Sequence, residues 1–352
     1  MSEKKKTAKE IIETYNGPKV RIMEVCGTHT HEIFRLGIRK LLPEQVELIS
    51  GPGCPVCVTQ VGFIDEAIYL ALERQVTICT FGDLVRVPGT NMSLAGAREK
   101  GAKIRIVYSP VDAKEYAKEH PKEQVTFLSV GFETTTPSAC LSVKKAREEG
   151  LMNYSILTAN KTMPQAYEAL KGSADIFLYP GHVNAITGTK LCEELAKEGV
   201  SGVVAGFTAK ELLTALAVAL ARFQEGRPFF VNCYPRVVTE NGSPQAQKLV
   251  EEMMEPCDSE WRGLGVIKGS GMRLQEEWSA FDARKKYKIP LIQGKANPAC
   301  RCGDVLQGKC KPSDCKVFGK VCTPQHPVGA CMVSGEGACS AYYMYGEAEK
   351  MK

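Results

Sequence analysis

From residue 18 to about 235 the sequence alternates short apolar runs with longer amphipathic stretches. The runs cover residues 20–26, 46–51, 76–82, 103–109, 125–131, 154–160, 175–181 and 202–207. Between them, stretches such as residues 61–73, 138–150 and 209–224 repeat apolar positions every three or four residues, the spacing of one helix face. Runs that are apolar at nearly every position predict strands covered on both faces. The alternation therefore predicts an α/β protein whose parallel sheets lie between helices. Eight such units fit one large sheet, two smaller sheets or an eight-stranded barrel. Two sheets are expected, divided near His120-Pro121 where the chain turns polar: an α/β domain over residues 18–121 and another over 122–235.

After residue 235 the pattern changes. A helix is expected over residues 244–255, then a Gly-rich segment, then a tail with Gly or Pro every few positions. Such a tail has too few apolar residues to build a core alone, and a metal cluster would supply the missing cross-links. Residues 236–352 are expected to form a third, iron–sulfur domain, grouped with the helix predicted over residues 1–17.

Composition narrows the classes. Apolar residues make up 44% and charged residues 24% of the 352, the balance of a globular protein. No apolar run reaches the roughly 18–20 residues that cross a bilayer, and the charged N-terminus lacks the pattern of a secretory signal. A cytoplasmic protein without a membrane partner is expected. The net charge of +5 is spread along the chain, which reads as a mixed solvated surface rather than a nucleic-acid stripe.

The cysteines change the picture most. Seven of the fifteen (Cys300, Cys302, Cys310, Cys315, Cys322, Cys331 and Cys339) crowd the tail. In a reducing compartment this density argues for metal binding or redox chemistry rather than structural disulfides. Thiolates in Gly/Pro-rich loops are the usual ligands of iron–sulfur clusters, whereas structural zinc generally takes tightly spaced pairs. The wide, irregular spacings here favour a cluster over zinc.

Two further motifs stand after a strand and before a helix, where α/β folds place chemistry. The first is Cys26-Gly27-Thr28-His29. A cysteine there feels the positive end of the helix, which is expected to lower its thiol pKa. Thr28 is a candidate N-cap, and His29 a candidate hydrogen-bond donor or proton shuttle. A buried strand-end cysteine with a capping threonine and a surface histidine fits the same residues. The second motif is Gly51-Pro52-Gly53-Cys54-Pro55-Val56-Cys57. Two cysteines separated by two residues at a helix start suit a reducible disulfide, and no second such pair exists to complete a zinc site. Other strand ends are polar and Gly-rich: residues 131–135 with Glu133, 180–182 with His182, and 81–83 with Arg86 beyond. Several such ends point to a shared cleft.

Together these stretches resemble the HypD family of [NiFe]-hydrogenase maturation factors. The matching residues are 23–32, 51–57, 80–89, 130–137, 179–186 and the tail over 300–346, in order along nearly the whole chain. The resemblance implies three domains around a central cleft, with a [4Fe–4S] cluster in the last. It implies a complex with the small protein HypC, cyanide supplied by HypE, and delivery of an Fe(CN)2CO group to the hydrogenase large subunit. By the same resemblance Cys26 holds the assembling iron with the partner, and Cys54 and Cys57 relay electrons from the cluster. Thr28, His29 and Glu133 correspond to residues assisting ligand binding or proton transfer. For the cluster, Cys302, Cys315, Cys322 and Cys339 are the expected ligands, with Cys300, Cys310 and Cys331 spare. A stand-alone iron–sulfur dithiol oxidoreductase and a zinc-stabilised binding protein are the competing classes.

Overall fold

The computed structural model describes residues 6–346. All eight expected runs form strands: β1 (Val20–Glu24), β2 (Val46–Ser50), β3 (Thr77–Thr80), β4 (Ile104–Ile106), β5 (Val125–Gly131), β6 (Tyr154–Asn160), β7 (Ile176–Pro180) and β8 (Ser201–Ala205). A short edge strand, β9 (Phe230–Asn232), was not visible in the hydrophobic pattern, because its three residues are only half-buried. These nine strands build two open parallel sheets, in the orders β2-β1-β7-β8-β9 and β4-β3-β5-β6. Open edges exclude the barrel. Every residue of β5, β6, β7 and β8 is buried, as continuous apolar runs require when helices cover both faces.

The sheets do not follow the expected division at residue 121. The five-stranded sheet takes strands from residues 20–50 and 176–232, and the four-stranded sheet is built wholly from the intervening 77–160. Residue 121 falls between a helix and β5 inside that second unit. The polar turn there is a surface loop, and composition could not distinguish it from a linker.

The N-terminal helix α1 (Ala8–Glu13) also belongs elsewhere than expected. Thr7 and Glu10 form a reciprocal capping box, and Ile12 is buried with Val20, Ile22, Leu212 and Leu216 in the core of the five-stranded sheet. The first five residues of the helix expected over 1–17 lie outside the described residues.

The Gly-rich segment forms an antiparallel hairpin, β10 (Met254–Trp261) with β11 (Gly265–Leu274). Its turn residue Gly263 has φ +82° and lies so close to Gly303 that a Cβ would stand 2.1 Å from that Cα. Trp261 ends β10 fully buried, stacked on Phe132 with centroids 5.8 Å apart. The tail folds back onto the five-stranded sheet: Cys302, Leu306 and Cys331 share a core with Met23, Val25 and Ile49. Its last helix, Ala338–Tyr345, meets the helix after β1 through Tyr342 against Phe34, with ring centroids 4.8 Å apart.

In each sheet the strand order reverses once, between β1 and β7 and between β3 and β5. The crevice outside the strand ends at such a reversal is where α/β folds bind ligands. Both crevices open toward one cleft of about 750 Å³, lined by Thr28 and Val56 from one sheet, Phe81 and Thr135 from the other, and Glu336 from the tail.

Candidate functional site

The core of the site is two loops locked together. Cys26 stands two residues beyond β1 and is the N-cap residue of α2 (Gly27–Arg35). The Gly27 N–H donates to the Gly53 carbonyl at 3.0 Å. A Cβ on Gly27 would stand 3.2 Å from the Cβ of Cys54, and one on Gly53 would be 2.2 Å from the Cys26 nitrogen. Both glycines permit an approach that a side chain would obstruct.

Cys54 and Cys57 form a disulfide across α3 (Pro55–Val58), with Cα atoms 5.2 Å apart. Pro55 opens that helix where its missing N–H costs nothing. Both sulfurs are buried. The following residues tie this helix to the hairpin, since the Arg262 N–H donates to the Val58 carbonyl at 2.8 Å.

The Cys26 thiol is not acidified. Burial pushes it up to about 12 and the Glu336 carboxylate adds to the rise. The N–H groups of Thr28 and His29 and the Thr28 hydroxyl favour the thiolate but do not overcome burial. A helix terminus contributes at most a couple of kcal/mol, and removing a thiolate from water costs more. The free thiol is therefore protonated, and binding a soft metal would displace that proton.

Thr28 does not cap its helix as expected. Its hydroxyl donates to Glu336 Oε1 at 2.6 Å, and His31 Nδ1 lies 3.0 Å from the Gly335 carbonyl. The tail loop is thereby fastened over the cysteine.

His29 is fully buried rather than on the surface. Its Nε2 lies 3.0 Å from the Gly206 carbonyl, an acceptor only, so Nε2 carries the proton. Nδ1 is buried without a partner, leaving a lone pair that accepts. Burial lowers the imidazole to about 4, so it is neutral. Phe207 lies between His29 and His182, with centroids 4.7 Å and 3.8 Å away.

Glu133 stands just beyond β5. Its Oε1 accepts the Met163 N–H at 2.8 Å, and its Oε2 is buried with no partner. Burial raises the carboxyl to about 7, so at neutral pH it both holds and yields a proton. Tyr167, in the same core as Cys54 and Cys57, also has a buried hydroxyl without a partner; burial raises its pKa, and Cys192, Glu133 and Cys26 add to the rise.

The tail cysteines form one connected set. Cys302 Sγ lies 2.7 Å from Cys331 Sγ, both deeply buried. Cys302 also meets Cys300, and Cys331 meets Cys339. Cys322 feels Cys339 and Cys315, and Cys315 Sγ lies 3.8 Å from the carbonyl of Ala299 beside Cys300. The four expected cluster ligands, Cys302, Cys315, Cys322 and Cys339, all belong to this set, with Cys300 and Cys331 adjoining them. Among the described residues no three His, Cys, Asp or Glu side chains form a ready metal site. The donors nevertheless suit iron: they are soft thiols in tight turns, three of them reaching the surface.

Glu336 was missed by sequence reasoning, as were Phe207 and Tyr167. Glu336 sits between two glycines among cysteines, and nothing in the local pattern indicates that it reaches α2.

The sequence profile of the HypD family, described as "Hydrogenase formation hypA family", matches residues 2–346. The chain is 42% identical to the "Hydrogenase maturation factor HypD" of Cupriavidus necator, over 94% of this chain and 90% of the relative. It is 44% identical to that of Rhodobacter capsulatus and 43% identical to that of Escherichia coli, in each case over 94% of this chain and 90% of the relative. No described helix is long and apolar enough to cross a membrane.

Proposed function

The chain belongs to the HypD family of hydrogenase maturation factors, and from that membership we propose that it is the redox-active scaffold on which iron receives its diatomic ligands. The observation that carries this reading is the interlocking of the Cys26 and Cys54–Cys57 loops, which puts a metal-binding thiol beside a two-electron couple. In this reading Cys26 and a thiolate of a HypC-type partner hold the iron as substrate, and a HypE-type donor brings cyanide as a thiocyanate group.

Freeing cyanide from such a carrier takes two electrons. The reduced pair provides them: two thiols and R–S–CN give the Cys54–Cys57 disulfide, R–SH and HCN, whose cyanide carbon then binds iron. Glu133, poised near neutrality, accepts the proton that HCN loses. His29, neutral and with Nδ1 bare, accepts a hydrogen bond from a ligand or from the Cys26 thiol. Re-reduction of the disulfide consumes two electrons and two protons.

A [4Fe–4S] cluster, which passes one electron at a time, suits that re-reduction. Cys302, Cys315, Cys322 and Cys339 would hold it, with Cys300 and Cys331 adjoining them. Cys331 brings this set against α3, because the 3-10 turn Ala330–Met332 packs on Pro55–Val58.

The test is anaerobic purification of the chain with and without a HypC-type protein, followed by infrared spectroscopy. Cyanide and carbonyl stretching bands in the complex, absent from Cys26→Ala, are expected. A coloured protein without such bands in the presence of HypC and HypE would leave a stand-alone dithiol oxidoreductase as the better account.

A further inference from the structure

The proposed chemistry needs electrons from outside, and the fold restricts where they enter. Cys54 and Cys57 are 2% and 0% exposed, and Cys302 and Cys331 are 4% and 1% exposed. Only on the tail do several thiols of the redox region reach the surface: Cys300, Cys310, Cys315 and Cys339 are all partly exposed. A donor must therefore approach the tail, and the proposal rests on the relay reading given above.

The surface it would meet is positively charged. Residues 309–320 carry Lys309, Lys311, Lys316 and Lys320 against a single Asp314. All four lysines are exposed, and none forms an ion pair among the described residues. Tight turns hold them together: the Cys315 N–H donates to the Pro312 carbonyl, that of Phe318 to Cys315, and that of Cys322 to Val317. Val321 stands among them 65% exposed. Four exposed, unpaired lysines within twelve residues, in the same segment as partly exposed thiols and an apolar contact, raise the local concentration of an anionic partner and orient it.

We infer that the Lys309–Lys320 surface docks an acidic one-electron carrier protein, which reduces this chain in two successive encounters. Each encounter oxidises one carrier by one electron. After the second, the Cys54–Cys57 bond is broken and two protons from solvent complete the thiols.

The test is binding of a plant-type [2Fe–2S] ferredoxin to the full chain by titration calorimetry at 20 mM and 300 mM salt. The variant Lys309→Glu/Lys311→Glu/Lys316→Glu/Lys320→Glu is compared with a control reversing Lys100, Lys210, Lys248 and Lys268, which are exposed elsewhere. Unchanged circular dichroism in both variants establishes that they fold. Binding weakened at least tenfold by the higher salt and by the first variant, but not by the control, supports the docking site. Equal binding by all three proteins overturns it, as does tighter binding of a 20-base-pair DNA duplex than of the ferredoxin. A separate titration of the disulfide with chemically reduced viologen tests the relay: if the disulfide is not reduced, the relay fails whatever the calorimetry gives.

Discussion

The Cα of Gly53 lies so close to Cys26 that an added Cβ would stand 2.2 Å from the Cys26 nitrogen and 2.3 Å from its Cα. The contact is backbone on backbone, so no side-chain rotation can relieve it. It fixes Cys26 relative to the disulfide, which begins at the residue after Gly53.

Gly53→Ala should therefore force the two loops apart. Overpacking of this kind costs about 1–3 kcal/mol. Urea unfolding under anaerobic conditions should show a lowered midpoint, and infrared bands in the partner complex should weaken. An unchanged midpoint would mean that the loops part easily and that the contact is not a constraint.

Glu336 is the charge that most opposes ionisation of Cys26, after burial itself. Glu336→Gln should lower the thiol pKa from about 12, though burial will keep it above the ordinary range. The rate of iodoacetamide labelling of the Cys26 peptide against pH, followed by mass spectrometry, should move to lower pH. A profile that does not move would assign the rise to burial alone.

Glu133 makes a signed prediction. Its folded carboxyl has been raised to about 7, so between about 4.5 and 7 the folded state binds more protons than the unfolded one. Stability then falls as pH rises through that window, by up to about 3 kcal/mol at 1.36 kcal/mol per pKa unit. Glu133→Gln removes this slope. The difference in unfolding free energy between variant and parent should grow from pH 5 to pH 8, and a constant difference would count against a raised carboxyl.

The tail cysteines can be sorted by mutation. Cys302→Ser should lose most of the broad absorption near 400 nm of an anaerobically prepared iron–sulfur protein, while Cys300→Ser should keep it. The reverse result would put Cys300 in the ligand set in place of Cys302.

Much of the local structure was legible because it is governed by neighbours in the chain. The eight strands follow from continuous apolar runs, and the positions of Gly51, Gly53 and Pro55 announce a tight turn entering a helix. What was not legible is set by distant parts of the chain. β1 pairs with β7, more than 150 residues away, so no property of residues near 121 could reveal which strands share a sheet. The state of Cys26 was misjudged for a related reason. Its place at a helix start is local and visible, whereas its depth and the arrival of Glu336 depend on a loop 310 residues later.

The split origin of the five-stranded sheet bears on how the molecule is made. The strands of the four-stranded sheet are continuous in sequence and all present once residue 160 has been synthesised, while its core also takes in Met253, Trp278 and Phe281. β1 and β2 must wait for β7, and the loop closure they await is long and therefore slow. During that interval Cys26, Cys54 and Cys57 are translated but not yet enclosed. The loop that carries Glu336 to Thr28 comes later still. The chain thus has a period in its biogenesis when these three cysteines are open to thiols and metals in the cell.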